Sequence, residues 1–291
     1  MRVTDNATFD AMRRDVNNAR TGVLKAQDQA SSGLRVSKPS DDPLAAAAAR
    51  RETSRKALAD ATKTATDKAN TLLQGSDDAL NDVYNGLTSV RDLALQMSSS
   101  TASDQDRSNA AIEVRSIRDQ MVALGNTNVA GSYVFAGYKD KTKAYETDGT
   151  YSGDDSTVSV QSAPNLKIPA SIPGSQVFGT GADSAFSQLD TLASALESNN
   201  LTAIKKSYDS LETNQNQVLA ARSSVGGMIN NVTIAGSIAD RISTTAVKRV
   251  NDLVGLDEVT AATNLVQAKG ALDKAITIAQ QIPTSSLAGG K

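Results

Sequence analysis

The chain contains no cysteine, no histidine and no tryptophan, and its net charge is only −2. Those absences remove thiol nucleophiles, histidine general bases and most zinc or copper sites. A nucleic-acid binder would carry a basic surplus, and there is none. Carboxylate, Ser–Lys or Tyr chemistry stays open in principle, but no arrangement of such groups is visible. Long apolar runs are also missing. The most apolar stretch, Leu44 to Ala49, is far too short to span a bilayer. Met1 to Arg20 is polar and lacks an apolar h-region, so no cleavable signal peptide is expected. A chain of this composition reads equally as cytosolic or as exported by a route without a cleaved signal.

Proline is sparse and informative. The six prolines are Pro39, Pro43, Pro164, Pro169, Pro173 and Pro283, leaving 44–163 and 174–282 free for long helices. At 291 residues the chain has room for two or three domains. Both ends carry apolar stripes at spacings of three and four: Phe9, Met12, Val16, Ala19, Val23, Ala26 and Ala30 near the start, then Ala261, Leu265, Ala268, Leu272, Ala275, Ala279 and Ile282 near the finish. These are a and d positions of heptads, the seam of a coiled coil. They read either as two core helices of one bundle or as a seam that also meets other subunits. The many alanines favour the second, because a pair with so few large side chains is marginal alone.

The first helix is expected from about Asn6 to Ser32, closed by Gly33 and Leu34 in a Schellman pattern. Asp42 then caps a second helix with Pro43 at its first position, reaching about Ser99. Its stripe is Leu73, Ser76, Leu80, Val83, Leu87, Val90, Ala94 and Met97. Ser103 and Asp106 form a capping-box pattern for a third helix. Residues 131–181 hold Tyr133, Phe135, Tyr138, Tyr145, Tyr151 and Phe178 among Gly, Asp and Pro, the pattern of short strands and turns. Helical periodicity returns with Ala185, Leu189, Leu192 and Leu196. A long stripe from Leu201 to Val232 follows, interrupted by polar Gln215 and Arg222, which are expected to fix register.

The fold class expected is mainly α with a β-rich insert. Long antiparallel helices would form a rod-like bundle, with the termini paired as a coiled coil and a small β domain at the far tip. The expected domains are 1–42 with 246–291, 43–130 with 182–245, and 131–181. Asp41-Asp42 reads as a helix cap rather than a carboxylate pair, and the aromatic cluster as core rather than a sugar site. No cofactor or metal site is expected.

Several separated segments resemble the bacterial flagellin superfamily. They are Ser31-Ser32-Gly33-Leu34-Arg35-Val36, Pro39-Ser40-Asp41-Asp42-Pro43, Gly131-Ser132-Tyr133-Val134-Phe135-Ala136-Gly137, Tyr151-Ser152-Gly153-Asp154 and Ile172-Pro173-Gly174-Ser175-Gln176-Val177-Phe178, together with the helix from Asp257 to Ile282. Met1-Arg2-Val3-Thr4 and the Pro-Ser-Asp-Asp-Pro run are closer to the members that join hook to filament than to flagellin proper. Two segments depart from the pattern: Lys141 to Tyr145, and the tail Leu287 to Lys291. The resemblance implies a non-enzymatic extracellular flagellar adaptor, exported without a cleaved signal and packing through its terminal stripes. Its implied partners are the first hook-associated protein, flagellin, other copies of itself and an export chaperone, with neither nucleic acid nor membrane. A flagellin or minor filament subunit, and a cytosolic coiled-coil scaffold, are the alternatives.

Overall fold

The computed structural model describes residues 2–163 and 166–281, with 2–6 and 163 described in backbone alone. Among the described residues the helices are α1 (Arg2–Ser32), α2 (Pro43–Met97), α3 (Asp104–Gly125), the short α4 (Gly174–Phe178), α5 (Ala185–Glu197), α6 (Leu201–Val254) and α7 (Glu258–Gln281). Two antiparallel two-stranded ladders lie between α3 and α4: β1 (Asn128–Val129) with β2 (Ser132–Tyr133), and β3 (Ser159–Ala163) with β4 (Leu166–Pro169).

The chain divides into two compact units. One comprises Met1–Leu58 with Ile242–Lys291, the other Ala59–Arg241. Both divisions fall inside α2 and α6, not at the residue 42/43 and 245/246 boundaries expected from proline and stripe positions. Segment 131–181 belongs to the larger unit, and its aromatics, apart from the exposed Tyr138, share one continuous core with the helices.

In that larger unit the stripe of α2 is buried throughout. Leu73, Leu80, Val83, Leu87 and Val90 have no exposed surface, and neither do Ile204, Leu211, Val218 and Val225 on α6. The two helices run antiparallel, because Thr88 meets Gln215 while the earlier Asp77 meets the later Arg222. α3 and α5 pack together, with Val114, Leu189, Leu192 and Leu196 buried.

The helix ends are satisfied locally, as backbone groups removed from water require. α2 stops at Met97. The buried guanidinium of Arg107 then donates to the carbonyls of Met97 (3.1 Å) and Ser99 (2.8 Å) and to Asn199 Oδ1 (3.4 Å). Ser103 caps α3: its Oγ accepts from the Asp106 amide, and the Asp106 carboxylate accepts from the Ser103 amide, each at 3.1 Å.

What holds segment 131–181 is less its strands than its rings. Tyr145 contacts Phe178 and Phe186 edge to face at 5.3 and 4.9 Å, Phe178 stacks on Phe186 at 5.1 Å, and Phe135 meets Phe178 at 5.7 Å. Such offset and edge contacts add to the area these rings bury. Tyr151 donates its hydroxyl to the carbonyls of Asp154 (2.9 Å) and Phe135 (3.1 Å), and burial pushes its pKa up to about 12. The Tyr145 ring lies against the backbones of Gly125 and Gly174, where a Cβ would collide with it. Its hydroxyl is buried without a partner, and burial raises its pKa.

A buried hydroxyl without a partner costs about 1–3 kcal/mol in lost hydration. Tyr145→Phe keeps the ring contacts and removes that cost. It is expected to stabilise the protein by about 1 kcal/mol, measured by urea unfolding; a destabilised variant would show that the hydroxyl has a partner in solution.

Candidate assembly interface

The smaller unit is built on the pairing of α1 with α7. Their expected seams face each other. On α1, Ala26 is buried, while Met12, Val16, Ala19 and Val23 are half-buried. On α7, Ala261 is buried, and Leu265, Ala268, Leu272 and Ala275 are half-buried. Phe9 is 66% exposed, Ala30 and Ala279 are exposed, and Ile282 lies outside the described residues, as do Pro283 and the tail Ala288 to Lys291. The seam is thus most closed at Ala26 and Ala261, near the turn between α6 and α7, and opens toward Phe9 and Ala279.

The outward faces of the two helices differ, and stripe analysis alone did not single them out. Opposite its seam, α1 presents Asp10, Arg14, Asn17, Thr21, Lys25 and Asp28, all exposed. The corresponding face of α7 carries Val259, Thr263, Val266, Gly270 and Thr277, uncharged over its first three turns, with Asp273 and Lys274 entering it before Thr277; Val259 is 73% and Val266 71% exposed. A 3.6-residue period brings these five together. The signal was present in the sequence as valines at i and i+7, but it is too short to stand out beside the longer seam.

Gly33, Asp42 and Pro43 come together where the chain leaves α1 and where α6 hands over to α7. Gly33 has φ +67°, and its amide donates to the Gln29 carbonyl at 2.9 Å. This single bond is the αL termination rather than the expected Schellman motif. The Leu34 amide is turned aside to Ser32 Oγ at 3.3 Å, because Leu34 forms an antiparallel bridge with Gly255 instead. Around that bridge, the Leu256 amide donates to the Gly33 carbonyl (2.8 Å) and the Arg35 amide to the Val254 carbonyl (2.7 Å). The Arg35 guanidinium reaches the Leu253 carbonyl (2.8 Å) and the Asp42 carboxylate (3.4 Å). The orphan carbonyls ending α6 are therefore satisfied by the segment that follows α1. Val36, Ala45, Ala49 and Val254 close a small apolar cluster beside it.

Asp42 accepts from the Ala45 amide at 3.0 Å, with Pro43 the first residue of α2, as the cap reading required. That bond, with Arg35, holds its carboxyl below the ordinary carboxylate value. Asp41 is lowered as well, first by Lys25 at 2.9 Å and then by the Lys38 amide. Asp257 starts α7 in the same way, accepting from the Thr260 amide at 3.1 Å. Among the described residues no group of three acidic side chains could hold a metal ion, and no helix is long and apolar enough to cross a membrane.

Residues 3–140 match the bacterial flagellin N-terminal helical region. The chain is 28% identical to flagellar hook-associated protein 3 of Salmonella typhimurium, covering 94% of each chain. It is 25% identical to the Escherichia coli protein of the same name, covering 88% of this chain and 89% of that one. A flagellin of Salmonella paratyphi A is 25% identical over 95% of this chain, but over only 59% of its own length. A solved flagellar hook-associated protein from Vibrio parahaemolyticus superposes with a TM-score of 0.67 at 22% identity, covering 74% of this chain and 100% of that one. The chain is thus similar, over nearly its whole length, to flagellin-related proteins of the bacterial flagellum. Within that group it matches hook-associated protein 3 over nearly the full length of both chains.

Two outcomes follow for the bridge between the α1 and α7 ends. Asp41 and Asp42 are lowered on folding, so their stabilisation is fully present above the unfolded value of 3.8 and lost as pH falls through the folded values. The melting temperature of Asp41→Asn/Asp42→Asn should therefore depend less steeply on pH below about 4 than that of the parent chain. Gly33→Ala forces a Cβ into the left-handed region and should destabilise the terminal unit by about 1 kcal/mol, read as faster amide exchange at Arg35 and Leu256.

Proposed function

We propose that the protein is a structural adaptor joining a hook-associated protein to the flagellin filament, and that it assembles through its terminal helices. The observation carrying this reading is the full-length match to hook-associated protein 3, set against a match to only 59% of the flagellin. It acts outside the cell and reaches its place through the flagellar export route, without a cleaved signal and with an export chaperone. It performs no catalysis.

The assembly contacts proposed are the seam residues Phe9, Met12, Val16, Ala19, Val23, Ala26, Ala30, Ala261, Leu265, Ala268, Leu272, Ala275, Ala279 and Ile282, joined by the uncharged first three turns of the outer face of α7. The seam holds α1 to α7 within one chain, and its exposed residues and the outer face meet neighbouring copies, hook-associated protein and flagellin. Exposed valines on a two-helix pair support this, since such a pair buries little of its own apolar surface.

Deletion of the gene separates this reading from a minor flagellin. Loss of the adaptor releases flagellin as unattached subunits, whereas loss of a minor flagellin leaves filaments in place. For the surface itself, Leu272→Asp is expected to disrupt the α1–α7 pair. Val266→Asp should leave the monomer's helicity unchanged yet abolish filament attachment while export continues. Normal filaments on cells carrying Val266→Asp would rule out the outer face of α7 as a contact.

A further inference from the structure

In the larger unit, α2 and α6 are each built on a strict period of seven. On α2, Ala59, Thr66, Leu73, Leu80, Leu87 and Ala94 are all buried, as are Ala69, Ser76, Val83, Val90 and Met97. On α6, Ile204, Leu211, Val218, Val225, Val232 and Ala239 are buried at the same interval. Two such seams match almost as well after one helix slides by a heptad, about 10.5 Å. Apolar burial alone therefore does not choose among these alignments.

One polar layer does not repeat. Arg91 pairs with Glu212 (3.1 Å), donates to Gln215 Oε1 and lies over the Tyr208 ring, with Cζ 4.6 Å from its centroid. Gln215 donates its amide to Thr88 Oγ1 at 2.7 Å. Arg222 pairs with Asp77 at 3.3 Å further along. The layer is a poor source of stability, since the Arg91 Nε is buried without a partner. It is a strong source of discrimination. Sliding α6 one heptad in one direction sets Arg222 where Gln215 stands against Arg91, and one heptad in the other sets Lys205 where Glu212 stands. Either slip confronts Arg91 with a like charge.

We infer that Arg91, with Thr88, Glu212 and Gln215, is a register lock that selects one of several heptad-related alignments of α2 and α6. The role is positional and independent of the flagellar reading above. It resembles the single polar layer that sets register in coiled coils at some cost in stability. The turn after α5 restrains the end of α6, whereas this layer acts within its length.

The absence of cysteine makes the test clean. A Cβ built on Gly236 lies 3.7 Å from Thr66 Cβ, within the span of a disulfide. Thr66→Cys with Gly236→Cys therefore reports the native alignment in the full chain, and Thr66→Cys with Ile229→Cys reports the slip that brings Lys205 to Arg91. Exchanging two exposed side chains, Lys205→Glu with Glu212→Lys, moves the attractive partner of Arg91 by that one heptad. The slipped cross-link is expected to gain roughly fivefold relative to the native one under mild oxidation. Lys205→Gln with Glu212→Gln should give a smaller change. An unchanged ratio in an exchanged variant that still melts cooperatively would overturn the lock. If the exchanged variant does not melt cooperatively, Lys205→Glu alone is measured, with the same sign expected and the same unchanged ratio overturning it.

Discussion

The larger unit answers to one constraint: α2 and α6 must each keep a single face dry along their shared length. Its residues repeat every seven because an α-helix presents the same face at that interval, and the buried series from Ala59 to Ala94 and from Ile204 to Ala239 follow. The remaining elements complete that face. α3 and α5 pack together with their own apolar stripes, and Arg107 ties the turn after α2 to the turn after α5. The aromatics of segment 131–181, apart from Tyr138, extend the same core, so that segment is not a separate body with its own interior.

Much of this was legible in the sequence because helix signals are local. Ser103 with Asp106, and Asp42 with Pro43, place helix starts through bonds spanning three or four residues. Gln215 and Arg222 stood out as polar groups on an apolar seam, and both found partners on α2. What was not legible depended on residues far apart in the chain. Gly33 and Leu34 looked like a Schellman end until Gly255, more than two hundred residues later, drew Leu34 into a bridge. The strands expected in segment 131–181 are present, but what packs its aromatics was not legible. The Tyr145 and Phe178 rings meet Phe186 of α5, and Tyr145 also meets the backbone of α3 at Gly125, contacts that no local period announces. The compact units likewise divide inside continuous helices, where neither proline nor glycine marks a boundary.

The terminal unit works under different terms. Its seam is rich in alanine, and only Ala26 and Ala261 of the described seam residues are fully covered. Alanine contributes far less burial than leucine or valine, so two helices joined this way gain little by themselves. Small side chains also allow backbones to approach closely. Polar bonds at the bridge between Leu34 and Gly255 compensate in part, since they satisfy the end of α6 and the start of α2 with one short segment.

The asymmetry between the outer faces of α1 and α7 then has a direct physical consequence. A helix face carrying Asp10, Arg14, Lys25 and Asp28 is stable in water and costs desolvation energy when covered. The first three turns of the α7 face, carrying Val259, Thr263, Val266 and Gly270, have no such charges to desolvate, Asp273 and Lys274 coming only beyond them, and the two valines gain on burial about 1.5–3 kcal/mol each. Between two otherwise similar helices, association selects the face that loses least and gains most. Over its first three turns α7 therefore loses less on being covered than the outer face of α1 does.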